Sequence, residues 1–381
     1  MDPGAHAHRR ADRRAHPRRH RDRLALRAAC AALLAGAAAA APWCAAGGAP
    51  GAGAPYAWGL PRGFPVPAVP ADNPMSAPKV ALGERLFFDP RLSVTGRYSC
   101  ASCHDPQRSF SDGLPRAAGA TGETLPHNAL ALVNVAYNIA FGWSKPGVRS
   151  LETQMLAPLL NEHPVELGLA GRERAVSDAL AADPAYERAF AAAFPGEASG
   201  VTFDHLVKAI AAFERTLISG GSAFDAYVFG GEHAALSAQA REGMALFYSE
   251  RAGCAGCHSG FNFSGNWRDA QGETGRASFA RNGTGDEPMK VPTLRNVALT
   301  APYMHDGRFA TLAAVLDHYS DLARRPGGAR RIDPRLPRAP LSAAERAALS
   351  AFLESLTDRA FVARFAARRA APSFASPGPT R

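Results

Sequence analysis

The apolar positions of the chain recur at helical rather than strand spacing. Leu206, Ile210, Phe213 and Leu217 fall on one face of a helix, and Thr202 stands where its N-cap belongs. Ser342 and Glu345 have the spacing of a capping box ahead of Leu349, Phe352, Leu353 and Leu356. Thr311 precedes Leu312, Val315, Leu316 and Tyr319 in the same way. No run alternates apolar and polar residues between hairpin-turn signals. The pattern predicts an all-α protein with long functional loops between helices. It also repeats. Gly83-Glu-Arg-Leu-Phe-Phe88 and Gly243-Met-Ala-Leu-Phe-Tyr248 are two versions of one apolar segment, and each runs into a Cys-x-x-Cys-His motif. Two tandem units are expected.

Composition changes this picture mainly at the start of the chain. The formal charge is +9 over 381 residues, but residues 1–30 hold nine Arg against three Asp. The remainder is only weakly basic, which gives no support to nucleic-acid binding. Residues 1–46 read as an export leader. An Arg-rich stretch from Arg9 to Arg27 leads into a small-residue apolar run from Leu24 to Ala41, with cleavage expected after Ala41 or Ala46. Gly and Pro follow that run too soon for a membrane span, and no later segment is apolar enough to cross a bilayer. The expected organisation is a leader (1–46), an extended Pro/Gly-rich arm (47–72), an N-terminal unit (73–225), a C-terminal unit (226–370) and a disordered tail (371–381).

Two of the six cysteines, Cys30 and Cys44, lie in the leader. The other four form Cys100-Ala-Ser-Cys103-His104 and Cys254-Ala-Gly-Cys257-His258, 154 residues apart. Such motifs attach haem c: two thiols add to the porphyrin vinyl groups and the adjacent His ligates the iron. The competing readings are a zinc site, which would gather four ligands from both motifs, and a thiol redox pair, which needs no following His. An export leader agrees with haem c, because that group is attached outside the cytoplasm. Two cytochrome c-like units, each with one covalently bound haem, are therefore expected in the periplasm.

The sequence resembles the bacterial diheme cytochrome c peroxidase and MauG superfamily over nearly the whole mature chain. The resemblance rests on Leu82-Gly-Glu-Arg-Leu-Phe-Phe-Asp-Pro-Arg-Leu-Ser93, both haem motifs, Leu132-Val-Asn-Val-Ala-Tyr-Asn138, Pro292-Thr-Leu-Arg-Asn-Val-Ala298 and Ala301-Pro-Tyr-Met-His-Asp-Gly307. Within it the chain most resembles MbnH-like enzymes, found beside methanobactin-type copper systems. Gly59-Leu-Pro-Arg-Gly-Phe-Pro-Val-Pro67, Asp72-Asn-Pro-Met-Ser76, His163-Pro-Val-Glu-Leu-Gly168 and Phe213-Glu-Arg-Thr-Leu-Ile-Ser-Gly220 carry that likeness. It implies an enzyme that uses hydrogen peroxide to reach a high-valent diheme state and oxidises tryptophan on a small exported partner, which then binds metal. The alternatives are a cytochrome c peroxidase fed by a small cytochrome or cupredoxin, and a non-enzymatic diheme electron carrier.

The resemblance also assigns residues. Glu166 is expected to be the distal acid of the N-terminal, peroxide-reactive haem. Gln154 and Pro158 lie over the same pocket, and His163 is structural. Ala120 stands where the better-known diheme peroxidases have a ligating His, so this haem is expected to be five-coordinate. His127 replaces a non-ligand Arg of many relatives. At the second haem Ala301 stands where those relatives place a Met or Tyr ligand. Met304 is then the leading sixth ligand and Tyr303 the alternative. Trp143 is expected between the haems, and Asn128 as a ligand of an inter-haem calcium ion. The stretch from Asn266 to Lys290 is shorter than in these relatives, near the calcium and partner contacts.

Overall fold

A computed structural model describes residues 56–197, 200–275, 279–282, 287–322, 333–336 and 339–369. The expected leader, the first part of the arm and the expected tail lie outside the described residues. In chain order the helices are α1 (Ala77–Phe87), α2 (Cys100–Cys103), α3 (Leu151–Leu160), α4 (Glu173–Ala181), α5 (Pro184–Ala193), α6 (Phe203–Glu214), α7 (Ala223–Val228), α8 (Ala238–Tyr248), α9 (Leu312–Leu322), α10 (Ala343–Glu354) and α11 (Arg359–Arg369). The strand-free expectation needs one addition: β1 (Phe279–Ala280) pairs antiparallel with β2 (Met289–Lys290). Strands of two residues leave no alternation to read.

The caps stand where the sequence puts them. Thr202 Oγ1 accepts from His205 N at 3.1 Å. Ser342 and Glu345 bond reciprocally, at 2.7 and 3.2 Å. Leu217 and Leu356 lie past the ends of α6 and α10, yet both are fully buried. Each is held by the same device. Asn134 and Asn296 take left-handed backbones (φ 56° and 60°) and donate their N–H to Leu217 O and Leu356 O, at 2.8 and 3.1 Å. Their Oδ1 atoms accept from Ser219 N and Asp358 N, at 2.8 and 2.7 Å.

The repeat is thus three-dimensional. α1 crosses α6 at Gly83, where a Cβ would stand 1.8 Å from Ala209 O. α8 crosses α10 at Gly243, where a Cβ would stand 1.9 Å from Ala348 O. Only glycine permits such backbone approach. Phe213 and Phe352 pack beside the two crossings in separate apolar cores. The cores do not follow the chain strictly. Phe361 and Phe365 of α11 join the first, and Phe224 joins the second. The arm also packs: Phe64 is buried with Tyr137 and Ile218, and the Arg295 guanidinium lies 4.6 Å from its ring centroid.

Candidate functional site

Each Cys-x-x-Cys-His motif closes into one tight turn. His104 N donates to Cys100 O at 3.0 Å, and His258 N to Cys254 O at 2.9 Å. Each ring is then fixed by a carbonyl: His104 Nδ1 lies 3.0 Å from Phe110 O and His258 Nδ1 lies 3.1 Å from Phe263 O. A carbonyl only accepts, so Nδ1 carries the proton and Nε2 keeps its lone pair. That is the tautomer an iron needs, held by an outer-shell bond. Phe110 and Phe263 turn their backbones at φ 61° and 46°, an uncommon conformation for a bulky residue. Burial keeps both imidazoles neutral, lowering His104 below the usual range and His258 to about 4.

The competing readings of these motifs find little in the geometry. A redox dithiol needs a lowered thiol pKa. Burial raises all four here, with Cys103 and Cys254 pushed up to about 12. Among the described residues no group of three or more His, Cys, Asp or Glu side chains converges as a zinc site would require.

The second motif opens on a cleft of about 90 Å³, lined by Cys254, Cys257, His258, Met289, Lys290 and Tyr319 among others. Lys290 is 5% exposed, and burial pulls its amine down to about 8. The carboxylate lining the same cleft, Asp333, is held by Arg335 at 2.6 and 2.7 Å. A buried amine without a carboxylate partner among the described residues fits a group that brings its own carboxylates, as haem does. Anchoring thiols, oriented imidazoles and this amine together fit haem c.

The expected peroxide residues gather in the first half. Glu166 O accepts from Ala120 N at 2.6 Å, and Val165 N donates to Glu123 Oε2 at 2.9 Å. A Cβ on Gly119 would stand 1.8 Å from Val165 O. The loop through Gly119 and Ala120, where the resemblance places the ligating His of better-known relatives, braces the Glu166 segment. Burial raises the Glu166 carboxyl, while the Lys145 charge opposes the shift. Burial, with smaller contributions from the Asp112 and Glu166 charges, raises the Cys103 thiol. Gln154 sits on α3, and its Oε1 would be 3.5 Å from a Cβ on Gly142. His163 is exposed.

Between the halves, two main-chain bonds mirror each other. Asn128 N donates to His305 O at 2.8 Å, and Lys290 N donates to Trp143 O at 2.7 Å. Trp143 Nε1 donates to Asn128 O at 2.7 Å, and its ring meets His305 edge-on at 6.4 Å. His127 packs edge-on against the other side of the group, 5.8 Å from His305. Asn128 Nδ2 donates to Leu114 O at 2.6 Å.

The ligand candidates for the second haem stand less directly. Tyr303 donates its hydroxyl to Val297 O at 3.1 Å. Met304 takes φ 74°, and its Sδ lies 3.5 Å from Asn282 Nδ2. Asn282 lines the cleft; neither Tyr303 nor Met304 does. Sequence reasoning missed Met289, Lys290, Tyr319 and His305. Only the last had a signal: Trp143 and His305 each stand nine residues beyond the matched Asn134 and Asn296.

Comparisons with known proteins agree with this arrangement. Residues 77–233 match the family described as di-haem cytochrome c peroxidase. The methylamine utilization protein MauG of Methylorubrum extorquens is 39% identical over 75% of this chain and 80% of its own length. The cytochrome c551 peroxidase of Nitrosomonas europaea is 35% identical over 66% of this chain and 76% of its own. The crystal structure of a MauG-like protein associated with microbial copper homeostasis matches with a TM-score of 0.75 at 34% identity, covering 84% of this chain and 99% of that one. No helix among the described residues is long and apolar enough to cross a membrane. A fold repeated around two oriented Cys-x-x-Cys-His turns, with this likeness along most of its length, makes the chain a member of the di-haem cytochrome c peroxidase and MauG family, an enzyme of the peroxidase type with two haem c groups.

Proposed function

We propose that this periplasmic enzyme uses hydrogen peroxide to oxidise a tryptophan on a small exported metal-binding protein. When bound, the two haems supply the reduction of peroxide and hold the oxidising equivalents. Glu166 moves a proton from the inner to the outer peroxide oxygen, a role that suits a carboxyl whose charged form is disfavoured by burial. Gln154 orients the peroxide by hydrogen bonding, and Gly142 leaves the space beside it open. Lys290 would pair with a carboxylate of the second haem. Met304 would supply a thioether to its iron once the Asn282 side chain moved aside, with Tyr303 remaining on Val297 O. Asn128 offers its Oδ1 to a calcium ion between the halves.

One observation carries this reading: the crossed main-chain bonds that fix Trp143 against His305 where segments of the two halves meet. A rigid aromatic bridge suits sharing of charge between the haems. Shared charge lets a bulky protein substrate lose electrons at the surface without entering the peroxide pocket. The likeness to MauG and to a protein associated with copper homeostasis supports a protein substrate. The likeness to a cytochrome c551 peroxidase favours the second reading, in which a small cytochrome or cupredoxin donates electrons.

Mass spectrometry separates the two. The holoenzyme, peroxide and a small Trp-containing exported protein encoded beside it are incubated together. Oxidation of a specific tryptophan, absent without enzyme, is the expected result. An unmodified protein, with rapid peroxide consumption only when a reduced cytochrome or cupredoxin is added, would establish the second reading.

A further inference from the structure

A cavity of about 260 Å³ lies apart from both haem turns. It opens where the arm, the start of α3 and the end of α6 meet a loop of the second half. A single water needs only about 10–15 Å³ of such space, so the cavity has room for a molecule. Its apolar walls include Val69, Ile139 and Phe141, and its charged groups are Arg149, Arg215 and Arg268. No carboxylate lines it. Arg149 and Arg268 are exposed. Arg215 is 3% exposed, and its Nη2 bonds both oxygens of Glu152 at 2.8 and 2.9 Å. Its Nη1 is buried and has no hydrogen-bond partner among the described residues. Buried charged donors are seldom left unpaired, because the desolvation is not recovered. Glu152 balances one of the three charges, so two remain uncompensated at the cavity.

We propose that this cavity binds a compact dianion, either an inorganic oxyanion or a short dicarboxylate, seated among the side chains of Arg149, Arg215 and Arg268 that line it. The planar guanidinium fork matches carboxylate and phosphate oxygens. The first turn of α3, capped by Ser150, adds a partial positive charge beside the same space. A concave site of this volume lined by three arginine side chains suits a free small molecule. The bound anion joins residues 68–70 of the arm to Arg268 of the second half, and so ties the arm down.

The test uses the haem-loaded full chain in a buffer free of multivalent anions. Phosphate, sulfate and succinate are titrated separately by calorimetry, with acetate and chloride as monoanion controls. Saturable binding of at least one dianion, much tighter than either control, is expected. Phosphate and sulfate binding without succinate assigns an inorganic oxyanion, and the reverse assigns a dicarboxylate. Arg149→Gln and Arg268→Gln should each weaken that binding roughly tenfold or more. Both positions are exposed, so the haem spectra and the thermal midpoint without ligand should not change. Exchange of the Val66, Ala68 and Val69 amides should slow only when the dianion is present. Absence of saturable dianion binding, or binding that survives the double substitution unchanged, would overturn the proposal. So would an acidic partner protein that needs both arginines while no small dianion binds.

Discussion

Glu166 is where the chemistry is most exposed to test. Its carboxylate form must accept the first proton, and burial raises its pKa above the ordinary range. The rate of reaction with peroxide should therefore fall as pH drops through that raised value, so the loss begins at a higher pH than for a solvated carboxylate. Glu166→Gln keeps the size and removes the titration. It should slow the reaction by about 10²–10⁴-fold and abolish this acid limb, with both haems still attached. Stopped-flow rates within a few-fold of wild type would count against the role. The second haem offers a sharper choice. Met304→Ala should move its spectrum from low-spin towards high-spin and lower its potential. Tyr303→Phe should leave it low-spin, since that hydroxyl already has the Val297 carbonyl. The reverse pattern would assign Tyr303. Electron paramagnetic resonance of the ferric protein reads both. At this scale the sequence made the covalent anchors plain, because Cys-x-x-Cys-His is contiguous. Lys290, Tyr319 and Met289 were not legible, because they reach the cleft from segments far from the motif, and a lone Lys or Tyr in a sequence carries no sign of burial.

At the scale of elements the repeat is the organising fact. Gly83 and Gly243 do the same work in two helix crossings, each with a carbonyl less than two ångströms from where a Cβ would be. Gly83→Ala and Gly243→Ala should each destabilise the holoprotein by at least about 1–3 kcal/mol, since neither helix can yield without moving its core. Thermal or denaturant unfolding checks this; an unchanged midpoint in either variant would contradict the close crossing. The helices were readable from apolar spacing and caps, because α6 and α10 combine strong periodicity with Thr202 and the Ser342–Glu345 box. The two-residue strands were not, nor was the return of α11 to the first core, since Phe361 and Phe365 look like any apolar pair in a terminal helix. Likewise the bracing of Val165 and Glu166 by the loop through Gly119 and Ala120 depends on a backbone approach that only the fold reveals.

For the molecule as a whole, the central claim is that peroxide reacts at one half and the oxidising equivalents are shared with the other. The sequence placed Trp143 between the haems through a family resemblance. The structure adds His305 as its ring partner, and the paired bonds from Asn128 and Lys290 that fix both. The most direct measurement is rapid-mixing spectroscopy of the diferric holoenzyme with one equivalent of hydrogen peroxide, comparing wild type with Trp143→Phe. In the wild type both haem signals should change together in a single phase. In Trp143→Phe the first haem should still react at close to the wild-type rate, while the change at the second becomes slow or is lost. Coincident changes at the wild-type rate in the variant, or a wild-type second haem that never responds to peroxide, would contradict the account.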